Sequence, residues 1–495
     1  MCNILQLTSN RLPFVFDRCV GQQPWKCGIL ASLGNFMGFK RVKTRRTATL
    51  LAFLCAPMFV APQVQAESIT NALASAYRSN SQLNAQRAST RAVDEGVARA
   101  KSGYRPQITG DADFGAISSS SNRGGSNDFN PYGYGITIVQ PLFDGFQTLN
   151  NVAAAKAQVG ASREQLRNTE QTVLQNAASA YVDVLVSQEL LSIRRQNRLF
   201  LAEQVRSSNA RLEVGEGTRT DVAQSQAREA GARALISSAE ADLAAARATY
   251  FQVIGRQPSN LRFPKGPTRL YPRNLTAALE QGIGQHPAVR QAQYGVDAAL
   301  FNVKVQQGTF LPTVSLRGNA QSRFNSGGDG SRSQQSSATV NLSVPIYQGG
   351  AASANVREAK ELLAQSRIQV NQARDQVRAA ILSAWAAIEA ARSNVSANNT
   401  AVRAARLALS GAIEERNVGQ LTQLDVLNAQ STLLDSQIQL LTARRTQVVA
   451  GYALVASVGN LNSAKLRLAV RHYEPKEHYE AVKDKWYGLR TPSNR

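Results

Sequence analysis

Beyond residue 55 the chain has no cysteine; its four are Cys2, Cys19, Cys27 and Cys55. Disulfide scaffolds and thiolate-bound metals are excluded for everything that follows. Histidine is scarce too, with His286, His472 and His478 alone, which leaves a transition-metal site without ligands. No uncharged apolar run reaches the roughly eighteen residues a membrane-crossing helix needs, so a helical integral membrane protein is excluded. Phosphate-loop and Gly-x-Ser-x-Gly motifs are missing, and Gly215-Glu216-Gly217-Thr218 lacks the third glycine and the preceding strand of a nucleotide fingerprint. No enzyme and no cofactor is expected. Proline disappears between Pro141 and Pro258 and again between Pro345 and Pro475. Acid is in short supply: 34 Asp and Glu face 56 Lys and Arg, for a net charge of +22. With 43% hydrophobic and 18% charged residues the chain still has the composition of one that folds.

Part of the charge belongs to the N-terminus. Lys40, Arg41, Lys43, Arg45 and Arg46 precede an uncharged apolar stretch from Thr47 to Val60, and Val64-Gln65-Ala66 supplies small residues at the peptidase positions. This pattern predicts a secretory signal cleaved after Ala66. Met37 stands where such a signal should start, so residues 1–36 read as an over-long start or an extended leader. Ala52-Phe53-Leu54 puts bulk ahead of Cys55 where a lipoprotein signal needs a small residue. The expected mature chain has 429 residues, of which 48 are Lys or Arg and 33 Asp or Glu.

An internal repeat organises that mature chain. Asn80–Gly110 lies over His286–Leu316, with Pro106 on Pro312; further on, Pro141 meets Pro345 and Gly145 meets Gly349. Asn150–Gln165 matches Ala354–Gln369 at seven of sixteen positions, and residues 211–226 match 415–430 at six of sixteen. Chance gives about one match in sixteen. The expected organisation is a leader over 1–66, a first repeat over 67–257, a Pro-rich join over 258–273, a second repeat over 274–459 and a tail over 460–495. His286-Pro287 reads as a loop-to-helix start. The tail, rich in Lys and Arg from Lys465 onward, reads as solvated or as a belt.

The two proline-free windows are rich in Ala, Gln, Arg, Leu and Glu, the composition of long helices. Leu424, Leu427, Leu434, Ile438, Leu441 and Val448 keep a 3,4 spacing with Ser431 and Arg445 in the gaps, a seam for another helix. Gly215, Gly217 and Gly419 break the windows, so each reads as helix, tight turn, helix. Unbroken, Gln147–Glu213 would be about 100 Å long. Trp385 is expected to pack. Ahead of each window residues alternate: Ile108, Gly110, Ala112 and Phe114; Tyr132, Tyr134, Ile136 and Ile138; Val314, Leu316, Gly318 and Ala320; Val340, Leu342, Val344 and Ile346. Each is a strand of roughly ten residues with one apolar face, long enough to cross a bilayer when tilted. Residues 117–130 and 321–337 read as polar connecting loops. Soluble hairpins packed on the helices would show the same alternation, but the export signal and the lack of a helical span favour barrel strands. Four strands cannot close a barrel and an open edge cannot sit in lipid, so copies must share one.

The repeated Tyr104-Arg105-Pro106 and Phe310-Leu311-Pro312, the paired Gln140-Pro-Leu-Phe-Asp-Gly and Val344-Pro-Ile-Tyr-Gln-Gly, and the Val-Gly-x-x-Thr-x-x-Asp-Val motifs at 214 and 418 resemble the TolC family of outer-membrane efflux and secretion channels. The resemblance spans essentially the whole mature chain. It implies an α+β membrane protein, a tandem-duplicated unit in which each copy gives a β-hairpin to a shared transmembrane barrel and a coiled-coil helical hairpin to a periplasmic tunnel. It further implies a homotrimer with twelve strands in outer-membrane lipid. Expected partners are a periplasmic adaptor and an inner-membrane exporter, either proton-driven or ABC type; nucleic acid is not one, because the bases are dispersed along helices without interleaved aromatics. A periplasmic coiled-coil adaptor is the competing reading, but it should carry one helical hairpin, not two each led by strands.

The motifs fall at the hairpin tips. Val214, Gly215, Thr218 and Asp221 in the first tip, and Val418, Gly419 and Thr422 in the second, are expected to dock the adaptor, although capping alone would also favour Thr and Asp there. In the family two acidic residues of the second tip ring the pore. Asp425 keeps the first position and Asn428 replaces the second, which halves the charge and implies weaker cation binding. The family's latch residues fall on Leu421 and Arg416, so its latch does not transfer.

Overall fold

A computed structural model describes residues 67–122 and 125–492; the expected export signal, Met37 and Cys55 lie outside the described residues. The first repeat opens with α1 (Ile69–Ser79) and α2 (Ser81–Lys101), separated where the Asn80 side chain accepts the Leu83 N–H at 3.2 Å and restarts the helix. The chain continues through β1 (Gln107–Phe114), β2 (Ile117–Ser121), β3 (Gly125–Phe129) and β4 (Tyr132–Phe143) into α3 (Gln147–Glu213) and α4 (Arg219–Ile254). The second repeat runs α5 (Leu275–Gln285), α6 (Pro287–Gly308), β5 (Thr313–Phe324), β6 (Arg332–Ser343), α7 (Ala351–Asn417) and α8 (Gln423–Ser457), and α9 (Pro475–Val482) follows. His286 caps α6 through Nδ1, which accepts the Ala288 N–H at 3.1 Å, and Pro287 fills the first helical position where no donor is needed.

Helices α3 and α7 each have 67 residues, so each is about 100 Å long. Both follow a turn with two successive left-handed residues, Gly145-Phe146 in one copy and Gly349-Gly350 in the other. Gly145 also packs closely: a Cβ there would meet the Gly308 carbonyl oxygen at 2.4 Å. Along α7 the buried positions Ala352, Val356, Ala359, Leu363, Val370, Val377, Ile381, Ala384, Ile388 and Ala391 form one stripe of 3,4 spacing, the mark of a coiled-coil face. The α8 seam buries Leu427, Leu434, Leu441 and Val448; Arg445, in one of its gaps, reaches Asp183 of α3. Trp385 packs, as expected, against the cluster of Ala384, Ile388, Ala450 and Leu454, and its Nε1 donates to Glu389 at 2.9 Å.

Strands β1, β4, β5 and β6 form one antiparallel sheet in that order, which leaves β1 and β6 as unpaired edges. Three expectations need correction. Residues 321–337 are mostly strand, since β5 runs to Phe324 and β6 starts at Arg332, paired from Gln321↔Gln335 to Phe324↔Arg332, which leaves only 325–331 as the connection. Residues 117–130 are not a loop: β2 and β3 pair from Ile117↔Phe129 to Ser121↔Gly125, because a hairpin ladder satisfies backbone groups even where side chains are small and polar. The alternation to Ile346 overruns the strand, which stops at Ser343 opposite Thr313; beyond it Pro345 has no N–H to give.

The largest apolar cluster lies where α1, α3, α4 and α8 meet residues 461–473, around the fully buried Tyr181, Tyr250, Leu73 and Leu174. The segment after α8 is therefore docked on the fold at several points as far as Val482, while Trp486, Tyr487 and Leu489 beyond it are exposed. Leu461, Leu468 and Val482 are buried, and His478 Nδ1 lies 3.1 Å from Asp94 Oδ2 of α2 with both side chains enclosed. Arg163 of α3 lies over the Tyr479 ring at 5.0 Å.

Candidate functional site

The two helical hairpins turn with the same backbone. In the first tip Val214 ends α3, Gly215 has φ +82, the Gly215 N–H donates to Leu212 O at 3.1 Å and the Glu216 N–H to Arg211 O at 2.8 Å. In the second, Gly419 has φ +82, its N–H donates to Arg416 O at 3.0 Å, and the Gln420 N–H donates to Glu415 O at 2.9 Å. These are two Schellman stops, and a positive φ at this position favours glycine. Each return helix then opens with a reciprocal cap. Thr218 Oγ1 accepts the Asp221 N–H at 3.1 Å while Asp221 Oδ2 accepts the Thr218 N–H at 3.1 Å; in the other copy Thr422 Oγ1 accepts the Asp425 N–H at 3.3 Å and Asp425 Oδ2 accepts the Thr422 N–H at 3.0 Å. The Val-Gly-x-x-Thr-x-x-Asp pattern is thus a stop and a start written in nine residues or fewer. Val214 and Val418 are equally bare, at 71% exposure each.

Capping uses only half of the Asp425 carboxylate. Oδ2 takes the Thr422 hydroxyl at 2.6 Å as well as its N–H, and those bonds hold the carboxyl below its ordinary pKa. Among the described residues Oδ1 has no partner. Asp425 is therefore a fixed negative charge on an exposed turn. Asn428, one turn further along α8, accepts from Arg228 of α4 at 3.4 Å, so it faces a basic side chain of the first hairpin.

Arg416 and Leu421 do different work. Leu421 is half-buried against a cluster of α7 and α8 residues around Ala412 and Val426, on which Phe200 of α3 also packs. Arg416 is 8% exposed and joins the two hairpins: Nη1 donates to Gln204 of α3 at 3.2 Å and to Gln423 of α8 at 2.6 Å, while Gln423 Nε2 donates to Gln204 at 3.1 Å. Burial, and then nearby Arg211, push the guanidinium below its ordinary pKa. Two turns deeper, Gln430 donates to Asn197 of α3 at 2.8 Å. Sequence reasoning missed Gln204, Arg228 and Asn197, since nothing in the spacing of a polar residue on a long helix says which neighbour it meets. Among the described residues no group of His, Cys, Asp and Glu is arranged to hold a metal ion.

The profile of the family described as outer membrane efflux protein matches residues 72–256 and 278–460, one match for each repeat. The chain belongs to this family. It is 46% identical over 459 residues to the outer membrane efflux protein BepC of Brucella suis, covering 92% of this chain and 99% of that one. To the outer membrane protein TolC of Escherichia coli it is 25% identical over 426 residues, covering 81% and 84% of the two chains. Among solved structures, the Campylobacter jejuni CmeC outer membrane channel superposes with a TM-score of 0.71 at 15% identity, over 84% of this chain and 89% of that one. The family's fold accounts for the architecture seen here: two copies of a unit, each with strands and a long helical hairpin.

Proposed function

We infer that this protein is the outer-membrane channel of an efflux or type I secretion system, passing cargo from the periplasmic side to the exterior. The sheet carries the reading. One face bears Ile108, Tyr134, Ile136, Ile138, Leu316, Val340 and Leu342, all exposed. The other bears Thr109, Asp111, Asp113, Thr137, Arg317, Asn319, Gln321 and Arg323, tied across strands by Asn319 to Thr137 at 3.2 Å and Gln321 to Gln335 at 3.0 Å. A bare apolar face of that extent calls for an apolar solvent, and a hydrogen-bonded polar face on the reverse suits a water-filled lumen. Aromatic rings stand at both ends of the strands, with Tyr132 stacked on Phe324 at 4.8 Å at one end and Tyr104, Phe146 and Tyr347 exposed at the other, as in interfacial girdles.

Edges β1 and β6 must then pair with other copies, and three copies give twelve strands. The helical hairpins extend into the periplasm, and their tips form the entrance. Asp425 supplies its negative ring, the bare Val214 and Val418 turns receive the adaptor, and the Arg416 and Arg228 bridges hold the second hairpin to the first. An inner-membrane exporter, proton-driven or ABC type, completes the assembly. An adaptor would have no use for a lipid-facing sheet. The test is purification in detergent followed by electrophoresis with and without heating: a heat-modifiable trimer is expected, and a monomer with full β content would overturn the reading. Capture of adaptor and exporter with the native protein, lost when Val214 and Val418 are both replaced by Asp, tests the docking tips.

A further inference from the structure

The chain beyond α9 is held against the foot of the barrel by contacts that the channel reading does not use. Lys101 at the end of α2 pairs with Asp484. Arg105, two residues ahead of β1, donates from Nη1 to Lys485 O at 2.8 Å, and its guanidinium lies over the Trp486 ring at 4.7 Å. The turn just ahead of Arg105 lies beside β4, where the Gln140 side chain donates to Tyr104 O at 3.0 Å. Trp486 is thereby held beside the start of β1, at the end of the sheet where β4 runs into α3.

What is fixed there is a chain that water does not favour. Trp486 is 67% exposed, Tyr487 90% and Leu489 104%, and Lys485 and Arg490 stand among them. Trp and Tyr beside Lys and Arg are the residues that settle at a membrane–water interface, and basic residues next to them favour anionic headgroups. Tyr104, Phe146, Leu149 and Tyr347, at the same end of the strands, are exposed as well.

We propose that residues 485–490 form an interfacial anchor that inserts Trp486, Tyr487 and Leu489 among the phospholipid headgroups of the periplasmic leaflet, with Arg105 as the clamp that sets its height. The anchor rests on the barrel reading above. It would fix the depth of the barrel at the edge where the helices begin and resist axial pull from a docked exporter.

Trp486 is its own reporter. The other tryptophans are Trp25 and Trp385, so Trp385→Phe, with Trp25→Phe wherever residues 1–66 are retained, leaves one fluorophore in this protein and in the control. The protein is reconstituted in vesicles of phosphatidylethanolamine and phosphatidylglycerol whose acyl chains are brominated just below the headgroups. A control carries Trp385→Phe, Trp486→Phe and Ile136→Trp, which puts the fluorophore on the lipid face of β4. Several-fold quenching of both is expected. Quenching of the control with Trp486 unquenched, whether open to an aqueous quencher or shielded by another copy or partner, would overturn the anchor and leave the barrel standing. Loss of quenching in both would overturn barrel and anchor together.

Discussion

Replacing Arg416 by Met keeps the aliphatic stem and removes the fork that links the hairpins. The guanidinium makes bonds to Gln204 at 3.2 Å, Gln423 at 2.6 Å and Asn417 at 3.2 Å, and bonds to a charged donor contribute about 1.5–3 kcal/mol each before the cost of burying the charge. That cost is substantial, because Arg416 Nε is enclosed without a partner. Gln204 and Gln423 also keep their mutual bond when Arg416 is lost. The net worth of the tether is therefore about 1–2 kcal/mol per chain. If three copies must release together, the open state gains about 3–6 kcal/mol, roughly a hundred- to ten-thousand-fold in the closed-to-open ratio. In planar bilayers Arg416→Met should raise conductance and opening frequency. Gln204→Ala should do the same, and the double variant should add little, since residues of one hydrogen-bonded network couple strongly. Unchanged conductance in both single variants would refute the tether, as would full additivity, which would make the two sites independent.

Asp425→Ala should weaken block of single-channel current by a trivalent cation by roughly tenfold, because clustered carboxylates concentrate cations at the mouth; Asn428→Asp should strengthen it, and more so when Arg228→Gln removes the base that faces it. The Asp425 carboxyl lies below its ordinary 3.8 because of the Thr422 bonds, so its charge and its cap persist above that value and fade only as pH falls through the depressed one; Thr422→Val should make block disappear at a higher pH than in the unaltered channel. His286 is held neutral by burial, below its ordinary 6.5, since Nδ1 must accept from the α6 N-terminus. Its contribution to stability is whole above that value and lost as pH falls, because the unfolded chain takes up the proton first. His286→Asn keeps a capping acceptor and should flatten the acid limb of a thermal-melting profile.

The sequence disclosed the elements that depend on local pattern and left hidden those that depend on which surfaces meet. Helix α3 spans the stretch that lacks proline up to the Gly215 break, because helix continuity is a local property. Both tips were legible for the same reason: stop and cap are each written within a turn. Alternation placed the four long strands, but it could not reveal that Ser-rich residues 117–121 also pair, since that ladder draws on backbone alone. Nor could it join Arg416 to Gln204, which are 212 residues apart, or seat His478 beside Asp94. Those contacts arise from the packing of one repeat, or of the chain's end, on another part of the fold.

Disulfide trapping of the sheet edges tests the shared barrel most directly. The chain has no cysteine after Cys55, so Thr109→Cys on β1, combined in turn with cysteines at Ser333 to Asn341 on β6, introduces the only thiols beyond it. Within one sheet the two edges are three strand spacings apart, about 14 Å, too far for a bond that needs Cα atoms within about 7 Å. A closed ring of three should give, after oxidation and boiling without reductant, bands at two and three chain masses for the β6 positions that face β1, and nothing larger. Bands at the monomer mass alone, at every position tried, would contradict the shared barrel and the channel reading built on it.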